Sequence, residues 1–262
     1  MASLQVSHVC LQAKPLTHMN PRYDPVFVVP VPEADVMPTA TTSSSPISHS
    51  PGRRTGTGSA NIASARVQTP RIKISGFHTV SLLSAICLTG LVPPYSSVPS
   101  NQARPLEEIR KSTKRPIVVF PECTTSNGRG LLRFADVFQK SVPVKGYNIY
   151  LMCVRYDPPT TFSPSLSLSI PSTSLNPLPH LFTLASSLSV PTLSIRMLSP
   201  AESPSSGSFL ASEFVAHLPP GQDQLSEACA ALIAQIGKMK RMGMGWEDKV
   251  NFLDFYRGKK RS

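Results

Sequence analysis

Cysteine pairs, acidic residues and long apolar runs are all scarce in this 262-residue chain. The five cysteines are scattered without CxxC spacing, which argues against a disulfide framework or a cysteine-based zinc site and favours a reducing environment. The longest apolar stretch, Val80–Pro94, is broken by serine, threonine and glycine and is too short to span a bilayer. Residues 1–22 also lack the basic start and continuous apolar stretch of a secretory signal. We therefore expect neither a signal peptide nor a transmembrane helix.

Positive charge dominates and is unevenly placed. The formal net charge is +11, and most of the excess lies in residues 101–140 and 238–262. The second stretch is interleaved with aromatic and apolar residues, so it indicates either helices docked on the core with a solvated basic end or contact with an anionic membrane. Nucleic-acid binding is not expected, because no recognition motif accompanies the charge.

Proline and serine divide the chain into parts. With 27 prolines and long Ser/Thr/Pro-rich tracts, about half of the chain is expected to lie outside any core. The composition predicts one domain with disordered inserts, divided into an atypical N-terminus (1–22), a first core strand (23–35), a disordered linker (36–70), a core (71–156), a Pro/Ser-rich low-complexity insert (157–212) and C-terminal helices with a basic tail (213–262).

Short runs of β-branched and aromatic residues predict three strands, Val26–Val29, Ile117–Phe120 and Ile149–Val154. With helices between them they predict neighbouring strands of a parallel sheet, an α/β architecture. The stretch Val80–Pro94 is interpreted as a buried core helix packed against the strand at Ile117.

Helical spacing of apolar residues begins after Gln224, with Asp223 as the N-cap residue. A second C-terminal helix is predicted from Trp246 to Arg257.

The most informative segment runs from Arg115 to Phe138. Its strand ends where Pro121 removes a backbone donor, and a turn of small, hydroxyl-bearing and glycine residues follows, Thr124–Gly130. Such a turn lets backbone N–H groups converge on an anion. The apolar spacing after Gly130 predicts the start of a helix. The segment therefore has the outline of a phosphate-binding loop between a strand and a helix.

The run FPECTTSNGRGLLRF, which begins at Phe120, resembles the lysophospholipid acyltransferase family, whose third sequence block reads Phe-Pro-Glu-Gly-Thr. It is most similar to a lysophosphatidic acid acyltransferase branch linked to vacuolar protein sorting. The resemblance extends in pieces to Tyr23–Pro30, Val142–Val144 and Gly245–Tyr256. Cys123 stands where the family usually has glycine and is interpreted as a small loop residue, with a nucleophile as the less favoured alternative.

The family's catalytic block, a histidine followed five positions later by aspartate, is absent from this sequence. None of the six histidines has an aspartate at that spacing. In the mechanism that the resemblance implies, this histidine removes the proton from the acceptor hydroxyl and the aspartate orients it. We therefore assign no catalytic residue, and we expect a glycerolphosphate-acyltransferase-like fold that is incomplete at its N-terminal edge.

The resemblance implies transfer of an acyl group from acyl-CoA, a co-substrate, to lysophosphatidic acid, at the cytosol-facing surface of the endoplasmic reticulum or of lipid droplets. It places substrate binding at six positions of the loop, Glu122, Thr124, Thr125, Asn127, Gly128 and Arg129. It also implies that Pro143 shapes the acyl pocket. No cofactor or metal is expected. The alternative is a catalytically inactive relative that binds a lipid surface or a protein partner.

Overall fold

The computed structural model describes residues 4–13, 24–33, 70–96, 102–126, 128, 130–138, 147–156, 164–187, 192–207, 209–210 and 223–258. Within these ranges six strands form, β1 (Leu4–Ala13), β2 (Val26–Pro32), β3 (Ile74–Val80), β4 (Ile117–Val119), β5 (Tyr147–Tyr156) and β6 (Leu193–Met197). The same ranges contain five helices, α1 (Leu82–Cys87), α2 (Leu106–Ser112), α3 (Leu178–Ala185), α4 (Gln224–Gly237) and α5 (Trp246–Tyr256).

The strands make one mixed sheet in the order β3-β2-β4-β1-β5-β6. Only β2 and β4 pair in parallel, and every other neighbouring pair is antiparallel. Because β4 and β5 are both antiparallel to β1, the three predicted strands β2, β4 and β5 run in the same direction. The fold is thus mixed α/β with a partly parallel sheet.

The prediction that these three strands are direct neighbours was wrong, because β1 lies between β4 and β5. It pairs with β5 along its whole length, from Leu4 opposite Tyr156 to Ala13 opposite Tyr147. Its apolar alternation changes phase, from Leu4 and Val6 to Val9 and Leu11, so no single period marks it as a strand. The N-terminal segment therefore lies inside the sheet rather than at its edge.

The core lies between this sheet and α4. Val28, Ile117 and Leu151 are almost completely buried in the sheet, and α4 packs on β5 with its stripe of Ala228, Cys229, Leu232 and Ile233. Asp223 is the N-cap residue of α4, as predicted, and accepts hydrogen bonds from the N–H groups of Leu225 and Ser226. The predicted second C-terminal helix is confirmed as α5.

Two predicted helices are not formed as expected. The stretch Val80–Pro94 contains only the six-residue α1, none of whose side chains is buried, so it is not a core helix. Residues 130–138 form no helix but an extended segment, in which the apolar side chains other than that of Leu132 are buried. The backbone of this segment is paired elsewhere, with Leu131 N donating to Lys240 O at 3.0 Å and Arg133 N to Met244 O at 2.8 Å. The apolar residues of this segment have helical spacing because they are buried. The segment is not helical, because its backbone N–H groups donate to carbonyl groups that are distant in sequence.

The described part of 157–212, predicted to be a Pro/Ser-rich low-complexity insert, contains regular secondary structure. This part contains α3 and β6, and Leu168 and Leu198 are buried. Serine hydroxyls in this part form hydrogen bonds with backbone groups of β5. Ser203 Oγ donates to Ile149 O at 2.5 Å, and Ile149 N donates to Ser205 Oγ at 3.1 Å. The predicted linker 36–70 lies outside the described residues, apart from its last position.

Candidate functional site

A cavity of about 250 Å³ lies beside the loop that follows β4. Its apolar walls come from β2, from α1 and from the turn after α1, and its polar wall comes from the loop itself, through Glu122, Thr124 and Thr125. None of the described histidines lines it. An apolar pocket with a few convergent polar groups is the usual form of a small-molecule site.

The structure brings together part of the predicted substrate-binding set. Glu122, Thr124 and Thr125 share the cavity wall, and Gly128 lies beyond it, buried, with a positive φ of 69° that favours glycine. Asn127, Arg129 and Pro143 lie outside the described residues.

Hydrogen bonds within the protein hold this loop. Thr124 Oγ1 donates to Leu91 O at 2.9 Å, and Thr125 Oγ1 donates to Leu168 O. Glu122 is buried and accepts a bond from Leu132 N at 3.1 Å. The two hydroxyls thus attach the loop to the turn after α1 and to the segment before α3, and the carboxylate attaches it to the chain that follows.

Lys249 contacts the loop from the C-terminal helix α5. Its Nζ donates to Thr124 Oγ1 at 2.8 Å and to Thr125 O at 2.6 Å. Burial of the ammonium lowers the pKa of Lys249 to about 7, although the nearby Glu122 carboxylate acts in the opposite direction. A partly buried amine that titrates near neutral pH therefore lies against the loop at the cavity wall.

Comparison with known proteins identifies no relative. No protein-family model matches the chain, and neither the curated proteins nor the solved structures give a significant match. The interpretation of the site therefore rests on the chemistry of its residues and on the sequence resemblance.

Cys123 occupies a position that suits glycine. Its φ is 57°, in the left-handed region that side chains disfavour, and its thiol is buried within 3.6 Å of Pro121 O. Burial, together with the charges of Glu247 and Glu122, raises the pKa of this thiol well above its ordinary value. A thiol held in its neutral form is a poor nucleophile, so the geometry favours the interpretation of Cys123 as a structural loop residue.

Arg71, which precedes β3, is engaged in structural ion pairs. Its guanidinium contacts Asp136 at 2.8 Å and also pairs with Glu227. Glu227 pairs in addition with Arg241. These contacts join the extended segment 130–138 to α4. The Arg71 guanidinium is therefore occupied by carboxylates, and Arg71 is not among the residues that line the cavity.

Sequence reasoning did not single out Lys249, although a signal was present. Trp246, Lys249, Val250 and Leu253 have the i, i+3, i+4, i+7 spacing of a packed helix face, and the first and last of them are buried. A lysine within such a face is expected to have a polar partner in the interior. Which partner it finds depends on the tertiary structure.

Proposed function

We propose that this protein binds a monoacyl glycerophospholipid, lysophosphatidic acid, and is related to the enzymes that acylate it from acyl-CoA. The observation that carries the proposal is the cavity beside the signature loop, which combines apolar walls with a polar one. Its volume of about 250 Å³ is near the lower end for ligand pockets, so it suits part of an acyl chain. The resemblance of FPECTTSNGRGLLRF to the acyltransferase block supports the lipid class.

In this proposal the hydrocarbon chain contacts the walls from β2 and α1. The phosphate is held at the loop with Arg129 as its donor, because the N–H group of Gly128 already donates to Ser126 Oγ at 3.1 Å. Asn127 and Thr124 complete the polar surface for the glycerol. Pro143 would shape the end of the acyl pocket, as the resemblance implies.

A binding measurement tests this arrangement. Lysophosphatidic acid, below the concentration at which it forms micelles, is titrated into the full chain and into Ala85→Phe, which places a ring at the cavity wall. We expect the substitution to abolish binding, because the ring occupies the space of the chain. Ile86→Phe, on the same helix but outside the cavity wall, should bind as the natural chain does. Equal affinity of the natural chain and Ala85→Phe would exclude the cavity as the site.

The phosphate is tested separately with Arg129→Ala. Loss of a charged hydrogen bond should weaken lysophosphatidic acid binding by about 1–3 kcal/mol. Binding of a monoacylglycerol, which lacks the phosphate, should not change. If the substitution weakens the binding of both lipids equally, Arg129 acts on the loop structure and not on the phosphate.

Acyl transfer by this chain is expected to be negligible, because it contains no histidine followed five positions later by aspartate. That absence is the specific observation in favour of the second candidate, a catalytically inactive relative that binds lipid or a protein partner. Release of free CoA from acyl-CoA in the presence of lysophosphatidic acid distinguishes the two. Robust turnover by the purified chain would show that another group acts as the base.

A further inference from the structure

Two uncharged stretches of sequence meet in the fold where Asn176 contacts the C-terminal end of α1. Residues 74–103 and 158–195 contain no Asp, Glu, Lys or Arg. Helix α1 belongs to the first stretch and α3 to the second. Charged residues make up 16% of the whole chain, so the absence of charge from these two long stretches is a marked local departure.

Specific contacts join the two stretches. Asn176 Nδ2, just before α3, donates to Cys87 O at 2.9 Å and to Thr89 O at 3.0 Å, at the C-terminal end of α1. Gly90 lies so close to Leu168 that a Cβ atom at this glycine would be 2.7 Å from the carbonyl oxygen of Leu168. The two helices are therefore held in a defined arrangement next to each other.

Both helices expose their large apolar side chains. Neither α1 nor α3 has a buried residue, although leucine is the most frequent residue in each. Leu83, Leu175 and Phe182 are each at least 75% exposed. The apolar face, as we use the term, consists of Leu82, Leu83, Ile86, Leu175, Leu178, Leu181 and Phe182. Large exposed apolar patches mark interaction sites.

The composition of the apolar face favours lipid over protein as its partner. Protein interfaces are enriched in Tyr, Trp, Phe, Met and Arg, are depleted in Ser, and have a polar rim. Here the side chains are leucine, isoleucine and one phenylalanine. The residues between them are Ser84, Ala85, Asn176, Pro177, Pro179 and His180, none of which is Asp, Glu, Lys or Arg. Aliphatic side chains that enter the boundary between headgroups and acyl chains need no complementary charge or fixed register.

We propose that the apolar face inserts into the interfacial layer of an uncharged lipid surface. Because both stretches lack charge, the attachment through this face depends on apolar burial and not on anionic lipid. It is distinct from any attraction between the basic residues of 238–262 and an anionic leaflet, which salt would screen. The proposal does not depend on a lipid ligand in the cavity, because no step of it uses the cavity.

The experiment is flotation of the full chain with phosphatidylcholine vesicles, at low salt and at about 1 M salt, where the Debye length is about 3 Å. We expect the chain to float with these vesicles equally well at both salt concentrations. Leu83→Ser and Phe182→Ser should each lower the partition coefficient roughly tenfold, the effect of withdrawing one large apolar side chain from lipid. The double variant should show about the product of the two effects.

Phe255→Ser is the matched control. Phe255 is a large aromatic residue that is 84% exposed on α5, outside the apolar face, so its replacement should leave flotation unchanged. The substituted positions are exposed, so the urea midpoint of each variant should equal that of the natural chain. This midpoint shows that a loss of flotation is not caused by unfolding.

Three results would overturn the proposal. The first is that the natural chain does not float with phosphatidylcholine vesicles. The second is flotation only with vesicles that contain phosphatidylserine, reversed at about 1 M salt, which would assign the attachment to the basic segments. The third is an equal effect of Phe182→Ser and Phe255→Ser.

If the natural chain fails to float but self-associates, and Leu83→Ser abolishes the association, the apolar face is a contact between two copies.

Discussion

At the scale of single residues, the contact between Lys249 and the loop is the most consequential. The ammonium is removed from water to donate to Thr124 Oγ1 and Thr125 O, and its burial is not fully offset by the Glu122 carboxylate. The charged form is therefore less favourable in the folded protein than in the unfolded chain, where lysine has its ordinary pKa. The contact should make stability depend on pH.

The sign of this dependence follows from the pKa of about 7 in the folded state and the value of 10.5 for an unperturbed lysine. Between these values the unfolded chain binds more protons than the folded protein, so the free energy of unfolding rises with pH. Below about pH 7 both states are protonated, and the full cost of the buried charge is present. One proton contributes a slope of at most about 1.4 kcal/mol per pH unit.

We predict that Lys249→Met removes this contribution to the slope between pH 7 and 9. The measurement is urea unfolding at several pH values, followed by the fluorescence of the single tryptophan, Trp246, which is buried beside Lys249. Lys114→Met, at an exposed lysine, should keep the slope of the natural chain. An unchanged slope in Lys249→Met would mean that the amine is solvated in the folded state.

At the scale of secondary-structure elements, Asp223 connects a helix to a segment that is not helical. One of its carboxylate oxygens caps α4 through Leu225 N and Ser226 N. The other accepts a hydrogen bond of 2.6 Å from Phe138 N, at the end of the extended segment 130–138. A single buried carboxylate thus caps the start of α4 and anchors the end of the segment 130–138.

We predict that Asp223→Ala lowers the free energy of unfolding by about 2–4 kcal/mol, which combines the loss of a cap with an unpaired buried N–H group. Asp223→Asn should have a smaller effect, because its oxygen can still cap α4 while its amide cannot accept from Phe138 N. Urea unfolding of the two variants separates the contribution of the N-cap from that of the hydrogen bond with Phe138 N. Equal loss in both would show that the anchor of the segment, and not the cap, carries the stability.

At the scale of the whole molecule, Glu247 joins three parts that are distant in sequence. Its side chain is buried and pairs with Arg133 at 3.3 Å, and it also accepts from Ile72 N at 3.2 Å. Arg133 is itself only 9% exposed. Helix α5, the extended segment 130–138 and the chain entering β3 are therefore held by one carboxylate.

We predict that Glu247→Ala destabilises the protein by about 3–5 kcal/mol, because it leaves the Arg133 guanidinium buried without its partner. Glu107→Ala is the control, since Glu107 pairs with Arg110 on the partly exposed α2 and should contribute at most about 1 kcal/mol. Unfolding in urea compares the two. A similar, small effect of both substitutions would indicate that water reaches Arg133 in the folded protein.

Much of the local structure could be predicted from short-range signals. The strands around Val28, Val119 and Leu151 are marked by runs of β-branched and apolar residues, and α4 by Asp223 and a helical apolar stripe. These signals are reliable because each depends on neighbours within a few positions. The proximity of Glu122, Thr124 and Thr125 also follows from their adjacency in sequence.

Local sequence signals suffice to predict the α/β class, the two C-terminal helices and the loop after β4, because backbone propensity and capping act between near neighbours. Long-range contacts in the folded protein place β1 between β4 and β5, Lys249 against the loop and Asn176 at the C-terminal end of α1. These features depend on which distant partner satisfies a backbone donor or a buried charge. No local pattern encodes that choice, since the same residues could form their bonds with other segments of the chain or with water.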